Sequence, residues 1–287
     1  MPLSQYQTLL KTILENGERT NTQQETDALT YMAPPPLRFK LSEGFPVITE
    51  RSIKAFWKQA VAEIIAFING ARTQEELEKY GCKWWHPWVT EAKCKKRGLE
   101  TGDLGPGSYG AAFHDFPTAE GESFNQFAAV IQQIKERPHL RTHFITPWIP
   151  QYTYRITGRT QKVVVAPCHG WIHLRVLDGK LTLHMFQRSA DVPVGVPANM
   201  VQYSALLLMI AHVTGLEPYE YIHSFSDAHI YVDQVDAVKE LIQREASPLP
   251  QIKMINTHDN LFDFRKDDFE LENYDPLPGM KDIPVAI

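Results

Sequence analysis

Lys162-Val163-Val164-Val165-Ala166-Pro167-Cys168-His169-Gly170 opens the stretch that says most about the fold. Residues 162–166 form a short apolar run, the pattern of a buried strand. Residues 171–177 and 180–187 are two strand-like runs, and Asp178-Gly179 between them is a favoured pair for a tight hairpin turn. Residues 201–213 are apolar almost all round, which predicts a buried helix ending at Gly215. Beyond it, 219–231 reads as a strand and 236–244 as a short helix. The class is therefore α/β or α+β, with a mixed β-sheet and several buried helices.

Working outward, residues 6–14 place Leu9, Leu10, Ile13 and Leu14 at helical spacing, and Asn16-Gly17 supplies the stop. Residues 18–33 are polar and lead into Pro34-Pro35-Pro36, which predicts an irregular loop. Residues 57–68 read as a helix that is apolar on most sides, with Glu63 inside it. Residues 90–108 are charged and then glycine-rich, the composition of a surface excursion. Residues 124–134 form another amphipathic helix. There is no internal repeat or low-complexity break, so 1–287 is expected to be a single domain.

Composition narrows the function. The chain is 43% hydrophobic and 22% charged, with a net charge of −5. That balance suits a large core and argues against an extended nucleic-acid surface, although a nucleotide pocket needs only a few local cations. No apolar run approaches the roughly 20 residues that span a bilayer, and Met1-Pro2-Leu3-Ser4-Gln5-Tyr6 lacks the features of a signal peptide. Three cysteines, Cys82, Cys94 and Cys168, suit a reducing compartment. The expectation is a cytoplasmic protein, in the host cytoplasm if viral, with no membrane partner.

Four residues stand out chemically. Cys168, between Pro167 and His169, follows the 162–166 run. A thiol becomes a nucleophile when nearby cations lower its resting pKa of about 8.5, whereas most lone cysteines are small buried hydrophobes. Arg188 ends the second hairpin run, where it could hold a phosphate, help ionise the thiol or simply form a surface ion pair. Asn199, just before the apolar helix, fits an N-cap or a carboxamide that reads both edges of a pyrimidine. Glu63 is costly to bury unpaired, so it is either a buried ion pair or a proton relay with a raised pKa. Cys168, His169 and His173 match no usual zinc spacing, so no metal is expected.

Taken together, Ala166-Pro167-Cys168-His169, Gln187-Arg188-Ser189-Ala190-Asp191, Gly195-Val196-Pro197-Ala198-Asn199 and Asp227-Ala228-His229-Ile230-Tyr231 resemble the motifs of the thymidylate synthase family. The likeness extends to Ala62-Glu63-Ile64-Ile65, to Trp85 and Trp88, to Gly102-Asp103-Leu104-Gly105-Pro106 with Tyr109-Gly110, and to the ending Pro284-Val285-Ala286-Ile287. It covers nearly the whole chain.

The resemblance implies a nucleophile, Cys168, that adds to C6 of a uracil nucleotide while 5,10-methylenetetrahydrofolate, as co-substrate, supplies a one-carbon unit to C5. It implies Glu63, Tyr109 and His169 around the proton transfers and Asn199 on the base. Arg188, Ser189 and Gln187 would serve the nucleotide and its phosphate, and His229 and Tyr231 the sugar. Trp85, Trp88, Asp191, Gly195, Val165 and Ile287 would line the folate side. It further implies a homodimer joined through the sheet, with Arg141 lent to the partner's phosphate site.

The sequence also departs from the family. Methylases of the family carry a basic loop near residue 24, but here it reads Thr22-Gln23-Gln24-Glu25-Thr26. The paired arginines lent across the dimer have become Arg141-Thr142, and Ala198 replaces a bulky Phe. Two phosphate cations are thus missing unless Arg19, Arg38 or Lys40 substitutes. The altered loop and Ala198 favour 5-hydroxymethyl-dUMP as the product. Trp85 and the family-like tail favour the alternative, reductive methylation to dTMP. A nucleotide-binding protein without catalysis is the third reading.

Overall fold

Asp178 and Gly179 both adopt positive φ, 50° and 74°, the twist that a two-residue hairpin turn requires. They join the strands Trp171–Leu177 and Lys180–Asp191, as the sequence predicts. The computed structural model describes residues 2–24, 26–280 and 283–286. Among these, seven strands form the main sheet. Its order runs Glu18–Thr20, Ala28–Met32, Glu217–Tyr231, Lys180–Asp191, Trp171–Leu177 and Phe144–Ile145, with Leu37–Lys40 also paired to Glu217–Tyr231. Lys180–Asp191 and Glu217–Tyr231 are parallel and the remaining pairs antiparallel, so the sheet is mixed and the class α+β.

The parallel pair needs a crossover, and the helix Gly195–Thr214 provides it. Its polar residues are few, so it can be wrapped on every side, and Gly215 ends it in the left-handed region at φ 69°. Contrary to the sequence expectation, this 20-residue segment is long and apolar enough to cross a membrane, yet 94% of its apolar window is buried inside the protein. Leu181, Leu183 and Met185 of the sheet point to the core, as do Ile172, Leu174 and Val176. Each such side chain contributes about 1.5–3 kcal/mol. On the opposite face Trp171, His173, His184 and Phe186 are partly or fully exposed.

The helix Trp57–Ile68 buries every residue except Lys58 and Gln59, and packs against Gly195–Thr214. The first helix, Gln5–Asn16, starts at a Ser4/Gln7 capping box and stops at Gly17. Helices Gln126–Glu136 and Val235–Gln243 fall within two residues of expectation.

Three expectations change. Residues 18–33 are not an irregular loop: Glu18–Thr20 and Ala28–Met32 form a hairpin that extends the sheet from Glu217–Tyr231. Ladder partners some 200 residues away override the weak local propensity. Residues 162–166 are buried in part but join no strand ladder, and Val164 N–H donates to Leu104 O instead. The surface excursion ends early, because Leu104, Gly105, Gly107 and Ser108 are buried. A Cβ on Gly105 would lie 2.4 Å from Lys162 O, so this close approach needs glycine.

Candidate active site

Cys168 follows the irregular 162–167 segment and precedes Gly170, whose φ of 99° lets the chain turn into the strand Trp171–Leu177. A Cβ on Gly170 would sit 2.9 Å from Tyr203 Oη, so the turn is also sterically closed to side chains. Arg188, on the neighbouring strand, is pinned by this turn. Its Nε donates to Pro167 O at 2.7 Å and its Nη2 to Ala166 O at 2.9 Å. The same Nη2 lies 3.4 Å from Cys168 Sγ. Burial pushes the thiol's pKa up while the Arg188 charge pulls it down. The guanidinium also stacks over Trp148, 5.5 Å from the ring centre.

Tyr109 Oη accepts from the Cys168 N–H at 2.7 Å and more distantly from that of His169. The Tyr109 ring stacks on His169. His169 Nδ1 pairs with Tyr203 Oη at 2.6 Å, and burial, reinforced by Arg188, lowers its pKa to about 3. It is therefore a neutral imidazole at physiological pH.

Glu63 is 6% exposed and accepts from two parts of the chain, the 82–85 segment and the helix Gly195–Thr214. Trp84 and Trp85 indole N–H groups both donate to Oε1, and Cys82 Sγ lies 3.8 Å from the same oxygen. Gln202 Nε2 donates to Oε2, and Gln202 Oε1 accepts from Asn199 Nδ2 at 2.9 Å. Burial raises the Glu63 pKa, and the four donors oppose that rise. A buried carboxylate so supplied can hold and release a proton without being stranded.

A cleft of about 1100 Å³ opens over Cys168. Arg188, Ser189, His229, Tyr231, Val165 and Trp88 all line it. His229 Nδ1 pairs with Asp227 Oδ1 at 2.8 Å. Among the described lining residues, Arg188, Arg155, Arg97, Lys96 and Lys93 face a single carboxylate, Asp227. That excess sits on a chain whose net charge is −5, so positive charge is concentrated at this cleft. Arg155 reaches across to Gln23, just beyond the strand Glu18–Thr20, donating to its Oε1 at 2.6 Å and to Gln161 Oε1 at 2.8 Å.

On a further side, Trp85 and Trp88 lie 5.8 Å apart. Burial lifts Asp191 to about 6, while Gln234 Nε2 donates to both of its oxygens. Gln234 also donates to Pro284 O at 2.9 Å, tying the tail to Asp191. Gly195 begins the long helix close by. Ile287 lies outside the described residues.

With this geometry established, the family model described as thymidylate synthase matches residues 4–287. The chain belongs to the thymidylate synthase family. Membership implies a folate-dependent one-carbon transferase acting on dUMP, with methylenetetrahydrofolate as co-substrate.

The predicted residues thus fall into groups. Cys168, Arg188, Ser189, His229, Tyr231, Val165 and Trp88 share the cleft. Glu63, Asn199 and Trp85 share one buried network, and Tyr109 and His169 back the thiol. Gln187 is not among the cleft-lining residues; its side-chain Oε1 pairs with buried His223 Nε2 at 2.7 Å. Arg141 is exposed and away from this cleft, its backbone carbonyl held by His173 Nε2. The suggested substitute cations do not enter. Arg19 pairs with Asp27, Arg38 with Glu220 and Lys40 with Glu43.

Sequence reasoning missed Gln202, Trp84, Arg155 and Gln234. Gln202 carried a local signal, a glutamine three residues after Asn199 in an otherwise apolar helix. Arg155 carried none, because its contact to Gln23 spans 132 residues.

Proposed function

We propose that the chain hydroxymethylates dUMP. Cys168 thiolate adds to C6, which makes C5 nucleophilic toward the methylene of methylenetetrahydrofolate. Once the carbon is transferred, loss of the C5 proton expels the folate nitrogen and leaves an exocyclic methylene. Water adds to that methylene with loss of a proton, and release of the thiolate from C6 then gives 5-hydroxymethyl-dUMP and tetrahydrofolate. Arg188 stabilises the thiolate and serves the phosphate with Ser189. Asn199 reads the base, His229 and Tyr231 take the sugar, and Glu63 exchanges protons with the base and folate.

Ala198 is the observation that carries the product assignment. It is half-buried beside Asn199 at the start of the long helix, and its single methyl stands where a bulky Phe would do more to exclude water. The second reading, reductive methylation to dTMP, is favoured by Trp85, whose ring is fixed by its bond to Glu63 and its edge contact with Phe67. Mass spectrometry of the product from dUMP and methylenetetrahydrofolate, with dihydrofolate absorbance followed alongside, decides between them. A hydroxymethyl product without dihydrofolate is expected; dTMP with equimolar dihydrofolate would overturn it.

The same reading treats 1–287 as one domain, supported by a core cluster that runs from Tyr6 to Phe269. It also makes the chain a homodimer. The exposed sheet face with Phe144, Trp171 and Phe186 supports that arrangement, with Arg141 lent to the partner.

A further inference from the structure

Asn199 and Gln202 lie one turn apart on the helix Gly195–Thr214, 5% and 0% exposed. Gln202 does not line the cleft, and its amide is spent on two buried partners, Asn199 and Glu63. The two Glu63 oxygens are occupied differently. Oε1 faces two indole N–H groups, which can only donate, and Oε2 faces Gln202.

An ionised carboxylate can only accept. Gln202 must therefore turn its NH2 toward Glu63, which turns its carbonyl toward Asn199. Asn199 must answer with its own NH2, which is the direction of the 2.9 Å bond. With Glu63 ionised, the polarity of the whole chain is set from the Glu63 end, and both bonds run in that direction in the structure. The Asn199 amide is left with one acceptor, Oδ1, and one remaining N–H donor.

We propose that Gln202 is a specificity-determining, positioning residue that fixes the Asn199 amide in the orientation for uracil and against cytosine. Uracil offers an N3–H donor and an O4 acceptor, which match Oδ1 and the remaining N–H. Cytosine offers an N3 acceptor and a 4-amino donor, which demand the reversed amide. Reversing Asn199 alone would set its Oδ1 against Gln202 Oε1 and lose a buried hydrogen bond. The inference rests on the proposed role of Asn199 as the residue that meets the base.

The test is the ratio of dissociation constants for dCMP and dUMP, measured by calorimetry on the full chain and on Gln202→Met and Gln202→Ser. Methionine keeps the length and burial but imposes no polarity. Serine is too short to bridge both partners, and its hydroxyl serves either direction. The wild-type preference for dUMP is expected to fall about 10- to 100-fold in both variants, with dCMP binding tighter than before. An unchanged ratio, or a fall caused only by weaker dUMP binding, overturns the inference. Trapping of 5-fluoro-dUMP on Cys168, read by mass spectrometry on the same proteins, tests the underlying reaction separately. A wild-type protein that forms no adduct defeats that reaction, whereas an adduct with an unchanged ratio defeats only the role of Gln202. Should the methionine variant fail to fold, the serine variant decides the outcome.

Discussion

Arg188 places its Nη2 3.4 Å from Cys168 Sγ while the same nitrogen holds the Ala166 carbonyl and Nε holds that of Pro167. The charge beside the thiol is therefore fixed by the same turn that presents the thiol. Positioning comes from this side chain, and its charge counters the burial that raises the thiol's pKa above its ordinary value.

Arg188→Met should raise the Cys168 pKa further, because it removes the influence that lowers it and leaves the burial that raises it. The rate of Cys168 alkylation by iodoacetamide, followed against pH, should shift to higher pH. An unshifted profile would show that Arg188 does not act on the thiol.

Arg155→Ala should raise KM for dUMP about tenfold or more with little change in kcat, the effect of losing a charge-assisted hydrogen bond to a phosphate. Arg19→Ala, which breaks only an exposed pair with Asp27, serves as the comparison and should leave KM unchanged. Equal effects from the two substitutions would show that Arg155, though it lines the cleft, does not meet the nucleotide.

Trp84→Phe takes one donor from Glu63, whose pKa is raised by burial and held back by such donors. The pKa should rise further, so the acid limb of the kcat profile should move to higher pH. A limb that stays in place would mean that Trp85 and Gln202 suffice to set the ionisation of Glu63.

Asp191 has a folded pKa of about 6 against an ordinary 3.8. Between these values the unfolded chain releases a proton that the folded chain keeps, so a stability penalty grows with pH and is complete above about 6. Asp191→Asn removes it. The melting temperature of the variant relative to wild type should therefore improve by a few degrees between pH 4 and pH 8. A gap that does not vary with pH would count against the raised pKa.

Much of the fold was legible because its signals are local. Apolar spacing in Trp57–Ile68 and Gly195–Thr214 needs only neighbouring residues to be read, and Asp178-Gly179 states its own turn. The 18–33 stretch was not legible, since its strands exist through pairing with Glu217–Tyr231. Nor was the 162–166 segment, where β-branched residues suggest a strand but no ladder partner lies alongside.

The candidate site divides in the same way. The sequence by itself singled out the candidate reactive groups, Cys168, Arg188, Asn199 and Glu63, and their order along the chain, because motif chemistry is written in contiguous residues. Tertiary structure alone decided what surrounds them. It brought Gln202 to Glu63 across 139 residues and Arg155 to Gln23 across 132. Hydrogen-bond direction and local charge depend on distances of a few ångströms in space, and chain separation does not encode those distances.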